Sequence, residues 1–192
     1  LPKKIQAAAA AGKAGVVQTW LTGDGRVDAT CVRGGVSGCT LLLIAAGHGH
    51  KQLVEVLLKR GAKPDALNSN GATALLSAAH QGHVQVVETL LQHGAEINLQ
   101  SSEGCTALTL AANRGYERVV DLLLRHGAEV DLQDGGGHTA LTSAAYRDHP
   151  AVVRQLLRAG ADMALRTADG ETALQLAKEK GHALGMREEH AG

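Results

Sequence analysis

The sequence predicts an all-α solenoid, a stack of near-identical helix–turn–helix units. Three observations lead there. A Gly-x-Thr-x-Leu segment returns with its glycines at 38, 71, 104, 137 and 170, each 33 residues after the last. A second marker, Leu-Leu-x-x-Gly-Ala, returns in phase with glycines at 61, 94, 127 and 160, again 33 apart. Glycine makes up 24 of 192 residues, as a chain needing many positive-φ or close-approach positions would require. Two independent markers holding one period leave no room for chance similarity, and a period of this length describes units that stack on their neighbours.

Within each copy the elements follow from residue chemistry. Thr73, Thr106, Thr139 and Thr172 stand just before Ala/Leu-rich stretches, where a hydroxyl satisfies the free N–H groups of a helix start. The Ala-Ala pairs that follow are small and let the first helix approach its neighbours closely. Gly49, Gly82, Gly115 or Gly181 then ends that helix in the left-handed conformation. The second helix carries apolar pairs at helical spacing, Val86-Val87 with Leu90-Leu91 and Val119-Val120 with Leu123-Leu124. Gly94 or its equivalent closes it. A short extended run, Ala-Glu-Ile-Asn-Leu or Ala-Glu-Val-Asp-Leu, leads into a polar, Gly-rich turn.

Six units are expected in a single array over 1–192, at about 1–34, 35–67, 68–100, 101–133, 134–166 and 167–192. The first is a cap, in which Ala8-Ala9, Gly12 and Val16-Val17 align with the later markers. Its step from Gly12 to Gly49 is 37 residues, and the extra residues, in Thr30 to Gly35, predict a longer first finger. The last is also a cap, because Gly185-Met186 and Glu189-His190 replace the apolar pairs of a second helix. Polar terminal units are what a solenoid requires. The opening Leu1, in place of Met, suggests a fragment of a longer protein.

These motifs closely resemble the ankyrin repeat family: the 33-residue period, the Gly-x-Thr-x-Leu opening, the Ala-Ala pair and the Leu-Leu-x-x-Gly-Ala closing. The resemblance covers residues 3 to about 184. One departure is systematic. The family's Thr-Pro-Leu-His opening reads Thr-Ala-Leu here, with Leu76, Thr109, Thr142 or Gln175 where His would stand. The family's Thr–His hydrogen-bond network is therefore expected to be absent, and the helix starts somewhat less rigid.

Composition removes several function classes. Nineteen Lys+Arg balance nineteen Asp+Glu, and aromatics are 2%, so no dominant basic footprint or base-stacking platform suggests a nucleic-acid binder. No apolar run is long enough for a membrane span. Cys31, Cys39 and Cys105 are odd in number and form no CxxC pair, which fits a reducing compartment, cytoplasm or nucleus, better than a disulfide framework or zinc site.

The tempting chemical motifs are absorbed by the repeat. His48-Gly49-His50 looks like a metal pair, but His50, His83, His149 and His182 recur at one repeat position, with Tyr116 there once. That predicts a structural place near the second-helix start. Gly34–Gly38 and Gly135–Gly137 lack the Gly-x-x-x-x-Gly-Lys-Ser/Thr pattern of a phosphate cradle and read as finger turns. Asp24–Asp28 lacks the carboxylate series of a calcium loop. Cys39 and Cys105 lie two repeats apart, too far to share a site, and no Gly-x-Ser-x-Gly elbow occurs. No enzyme, cofactor or metal is expected.

The resemblance implies protein–protein recognition on a concave face of fingers and first helices, in a chain that is monomeric as an isolated domain. Positions that vary between repeats while the frame does not supply the candidates: Asn70, Glu103, Asn113, Arg114, Asp134, His138, Tyr146, Arg147, Asp169 and Glu171. Tyr146 is the first choice of anchor, since interface hot spots favour Tyr and Arg. Residues 1–60 carry eight basic and three acidic side chains, and residues 61–192 eleven and sixteen. The halves are thus +5 and −5, and a partner segment of mixed charge, basic toward the C-terminal fingers, is expected. The partner is another protein or an extended peptide. The rival reading is a substrate-recruiting domain of a larger enzyme, such as a ubiquitin ligase or kinase. Asn98, after Leu90-Leu91 and Glu96-Ile97, resembles the ankyrin context modified by the asparaginyl β-hydroxylase of the hypoxia pathway. Its plainer reading is a hydrogen-bonding turn residue whose place Asp65 and Asp131 fill elsewhere.

Overall fold

The computed structural model describes residues 1–23 and 25–181. Asp24 of the calcium-loop comparison, His182 of the recurrent histidines, and the expected weak second helix of the last unit lie outside the described residues.

The helices alternate between two layers. The inner layer holds α1 (Lys3–Ala10), α3 (Leu41–Gly47), α5 (Ala74–Gln81), α7 (Ala107–Arg114), α9 (Ala140–Tyr146) and α11 (Ala173–Glu179). The outer layer holds α2 (Ala14–Thr22), α4 (Lys51–Lys59), α6 (Val84–Gln92), α8 (Glu117–Arg125) and α10 (Pro150–Arg158). Successive inner helices pack on one another, and α1, α3, α5, α7 and α9 each pack on their own outer partner. The core is the seam between layers, where Leu57, Leu90, Leu123 and Leu156 from outside meet Leu42, Leu75, Leu108 and Leu141 from inside, all buried. The alanines of the pairs 45–46, 78–79, 111–112 and 144–145 are wholly buried, so small side chains set the inner-helix spacing. Each leucine on this seam contributes about 1.5–3 kcal/mol by leaving water.

The helix starts show why the threonines recur. Thr40, Thr73, Thr106, Thr139 and Thr172 each accept a hydrogen bond from the N–H three residues on. At three of them the residue in the histidine's place returns a hydrogen bond. Thr109 Oγ1 accepts from Thr106 N at 2.8 Å, Thr142 Oγ1 from Thr139 N at 2.8 Å, and Gln175 Oε1 from Thr172 N at 2.9 Å. These reciprocal capping boxes stand where the absent histidine would be. Thr40 and Thr73 have only the one-way cap, because Leu43 and Leu76 offer no acceptor.

Second-helix starts are tied back to the preceding unit. His50 Nε2 lies 2.8 Å from Ala10 O, His83 Nε2 3.2 Å from Gly47 O, and His149 Nε2 3.1 Å from Asn113 O. Tyr116 occupies this place beside Gly82, where a Cβ would meet its ring at 3.0 Å. The recurrent histidines are therefore inter-unit struts, as their spacing predicts. Gly82 and Gly115 end α5 and α7 in the left-handed region, and Asp148, at φ 59, takes the same turn after α9.

The longer first finger is a β-hairpin. β1 (Thr30–Arg33) pairs antiparallel with β2 (Val36–Thr40), with an irregularity between Cys31 and Arg33. Later fingers close as tighter loops, in which Asn68 N bonds Ala72 O, Ser101 N bonds Cys105 O, Asp134 N bonds His138 O and Thr167 N bonds Glu171 O. Backbone bonds link finger to finger, from Ser69 N to Ser37 O, Ser102 N to Asn70 O, Gly135 N to Glu103 O and Ala168 N to Gly136 O.

Candidate interaction groove

Fingers and inner helices enclose a groove of two adjoining depressions. One, of about 280 Å³, is lined by Arg33, Cys39, His48, Ser77 and His80 among others. The other, of about 510 Å³, runs between the second and third fingers, over Ser69, Asn70, Ser77, His80, Glu103, Cys105 and Leu110. Ser77 and His80 belong to both. The walls mix small polar groups with the aliphatic surface of Leu76 and Leu110, as an extended chain with backbone hydrogen bonds to satisfy would need.

Asn70 and Glu103 line this groove. Arg114 stands at the end of α7, its Nη2 2.8 Å from His80 Nε2. Asn113 gives its carbonyl to the His149 strut. Tyr146, 38% exposed, lies one repeat further on, with Arg147 Cζ 5.5 Å and Lys180 Nζ 4.8 Å from its ring centroid. Asp169 is exposed on the last finger. Glu171 shares a hydrogen bond with Glu179, which raises its pKa, helped by some burial and the charges of Glu179 and Asp169 and opposed by Lys180.

Asp134 and His138 have local work. Asp134 Oδ1 accepts from Gly136 N and His138 N at 2.9 and 2.8 Å and lies 3.2 Å from His138 Nδ1. Asn68, Ser101 and Thr167 close their own turns in the same way. Asn98 is a crossing point between repeats. Its Oδ1 accepts from Glu129 N at 3.0 Å and its Nδ2 donates to Glu129 Oε1 at 2.9 Å. Asp28, Asp65 and Asp131 make the matching backbone bond to Lys63, Glu96 and Asp162.

Burial pushes all three thiols up, and at Cys105 the charges of Asp134 and Glu103 push further against a Ser101 hydrogen bond, so each stays a protonated, weak nucleophile near neutral pH. Among the described residues no cluster of three His, Cys, Asp or Glu is placed to hold a metal ion. None of the described helices is long and apolar enough to cross a membrane.

Ser77, Leu76 and Leu110 line the groove and were not among the sequence candidates. They sit inside the helical Ala/Leu pattern, and only the packing of neighbouring fingers and helices shows that they border the groove.

A family model for ankyrin repeats, in three copies, matches residues 5–101 and 94–167. The chain belongs to the ankyrin repeat family. No curated protein matches it. Ankyrin repeats are generally protein–protein interaction modules and typically non-catalytic, and the two-layer stack with a finger-lined groove is how this chain takes that form.

Proposed function

We propose that this ankyrin array binds an extended segment of a partner protein along its concave face, as one six-unit domain with boundaries near 34, 67, 100, 133 and 166. The observation that carries the reading is the continuous groove through Ser77 and His80, roofed by the second and third fingers. Asn70 and Glu103 contact the segment in the groove. Asn113, Arg114, Tyr146 and Arg147 extend the surface along the helix ends, with Asp134, His138, Asp169 and Glu171 along the fingers. A reducing compartment, cytoplasm or nucleus, suits the three free thiols. Asn98 remains the proposed modification position, its test the intact mass of Asn98-containing peptides from human-type cells, where no added oxygen disposes of it.

The test fills the groove without touching the core. Ser77→Arg places a long side chain at the junction of the two depressions, and Arg118→Ala on the outer layer is the control. Proteins captured from lysate by the wild type and the control, but not by Ser77→Arg, support the reading. Equal capture by all three, with unchanged circular dichroism, moves the binding surface elsewhere.

A further inference from the structure

We infer that Arg114, Arg147 and Lys180 form a cationic row that seats an acidic, extended segment of a partner protein with carboxylates at every third residue. This rests on the concave-face reading and adds the partner's chemistry to it.

The three cations hold one repeat position, at the C-terminal ends of α7, α9 and α11. A favourable helix dipole accounts for basic residues there. It does not account for the company they keep. Arg114 leans on the imidazole of His80, with Nε 3.3 Å and Nη2 2.8 Å from Nε2. His80 itself is biased toward its neutral form, by burial first and by the Arg114 charge second. Arg147 and Lys180 both lie against the ring of Tyr146. Among the described residues none of the three is in an ion pair with a carboxylate. Their positions are set by neutral partners while their charges are left to a ligand. Glu171 partly offsets the charge of Lys180.

The spacing selects the occupant. The helices α7, α9 and α11 pack side by side, so the helix ends that carry the cations step about 8–10 Å from one repeat to the next. A polyproline-II chain has three residues per turn and advances about 3.1 Å per residue, so every third side chain lies on one face at about 9 Å intervals. A β-strand would turn alternate side chains away. Acid-x-x-acid-x-x-acid in a polyproline-II conformation therefore meets all three cations, with the middle carboxylate at Arg147 beside Tyr146.

The test uses fluorescence anisotropy on the full chain with two labelled peptides of identical composition. One has Glu at its first, fourth and seventh positions, and the other has three contiguous Glu. The spaced peptide is expected to bind about fivefold or more tighter, since exposed pairs contribute up to about 1 kcal/mol each. Arg114→Gln and Arg147→Gln should each weaken it by about two- to fivefold. Arg125→Gln on the outer layer should leave it unchanged, with circular dichroism showing all variants folded. Equal affinity for the two peptides, no effect of the Gln variants, or tighter binding of a single-stranded oligonucleotide would overturn the assignment. The concave-face reading fails separately: it falls if Ser77→Arg leaves partner capture intact, and it survives failure of the cationic-row assignment if Ser77→Arg still abolishes capture.

Discussion

Arg114 and His80 come from neighbouring inner helices, and Arg114 Nη2 lies 2.8 Å from His80 Nε2 across the repeat boundary. The contact works only while the imidazole nitrogen has a free lone pair. Protonation would remove the acceptor and set two cations face to face.

A pH dependence follows from that pair. Burial, and then the Arg114 charge, hold the His80 pKa below its ordinary value, so the unfolded chain takes the proton first as pH falls. Stability carried by neutral His80 is fully present above the ordinary imidazole range and is lost as pH falls through it toward the lowered value. Urea unfolding of wild type and His80→Gln should therefore show a larger loss for wild type between roughly pH 7.5 and pH 5.5. The same slope in both proteins would mean that the pair is not coupled to folding.

The capping boxes give a second prediction. Thr139→Ala removes the acceptor for Thr142 N and should cost about 1–2 kcal/mol. Thr142→Val removes the return bond to Thr139 N. Because each threonine serves the other's backbone, a double-mutant cycle in chemical denaturation should give a coupling of at least about 0.5 kcal/mol. Thr73 and Leu76 form no such box, so Thr73→Ala combined with Leu76→Val should be close to additive.

The period made the fold legible, because a stack repeats its constraints as well as its contacts. Thr73 and its equivalents, the Ala-Ala pairs and the closing glycines each do one job in every unit, so spacing alone located the paired helices and placed a longer first finger at Thr30 to Gly35. The candidate surface was legible at Asn70 and Glu103 because finger tips vary while the frame does not. It was not legible at Ser77 and Leu110, whose exposure depends on how neighbouring helices splay. Nor did the sequence reveal that Thr109, Thr142 and Gln175 would replace the missing histidine with a local box, since that needs side-chain direction. Asp134 shows the reverse: it varies between repeats like a contact residue, yet it closes its own turn.

Asn98 predicts a graded response to substitution. Asn98→Asp keeps the acceptor for Glu129 N, as Asp65 and Asp131 do for their partners, but faces the Glu129 carboxylate. Asn98→Ala loses both bonds to Glu129. Thermal unfolding should place the Ala variant about 1 kcal/mol below wild type, with the Asp variant between them. An Asp variant less stable than Ala would mean that charge repulsion outweighs the shared backbone bond.

The glycines separate strain from crowding. Gly115 and Gly127 have φ 73 and 83, so an alanine at either is strained by about 1–2 kcal/mol. They differ in what a Cβ would meet. At Gly127 nothing lies within 4 Å, whereas at Gly115 the His149 ring lies at 2.6 Å. That ring is held by the bond of Nε2 to Asn113 O, so it cannot yield without breaking the strut between two units. Gly127→Ala should therefore cost only the strain, and Gly115→Ala the strain plus the strut, about 1 kcal/mol more. His149→Ala in the Gly115→Ala background would remove the clash. Measured in a His149→Ala background, Gly115→Ala and Gly127→Ala should then cost nearly the same in chemical denaturation. A persistent difference would mean that Gly115 is required for a reason other than its neighbour.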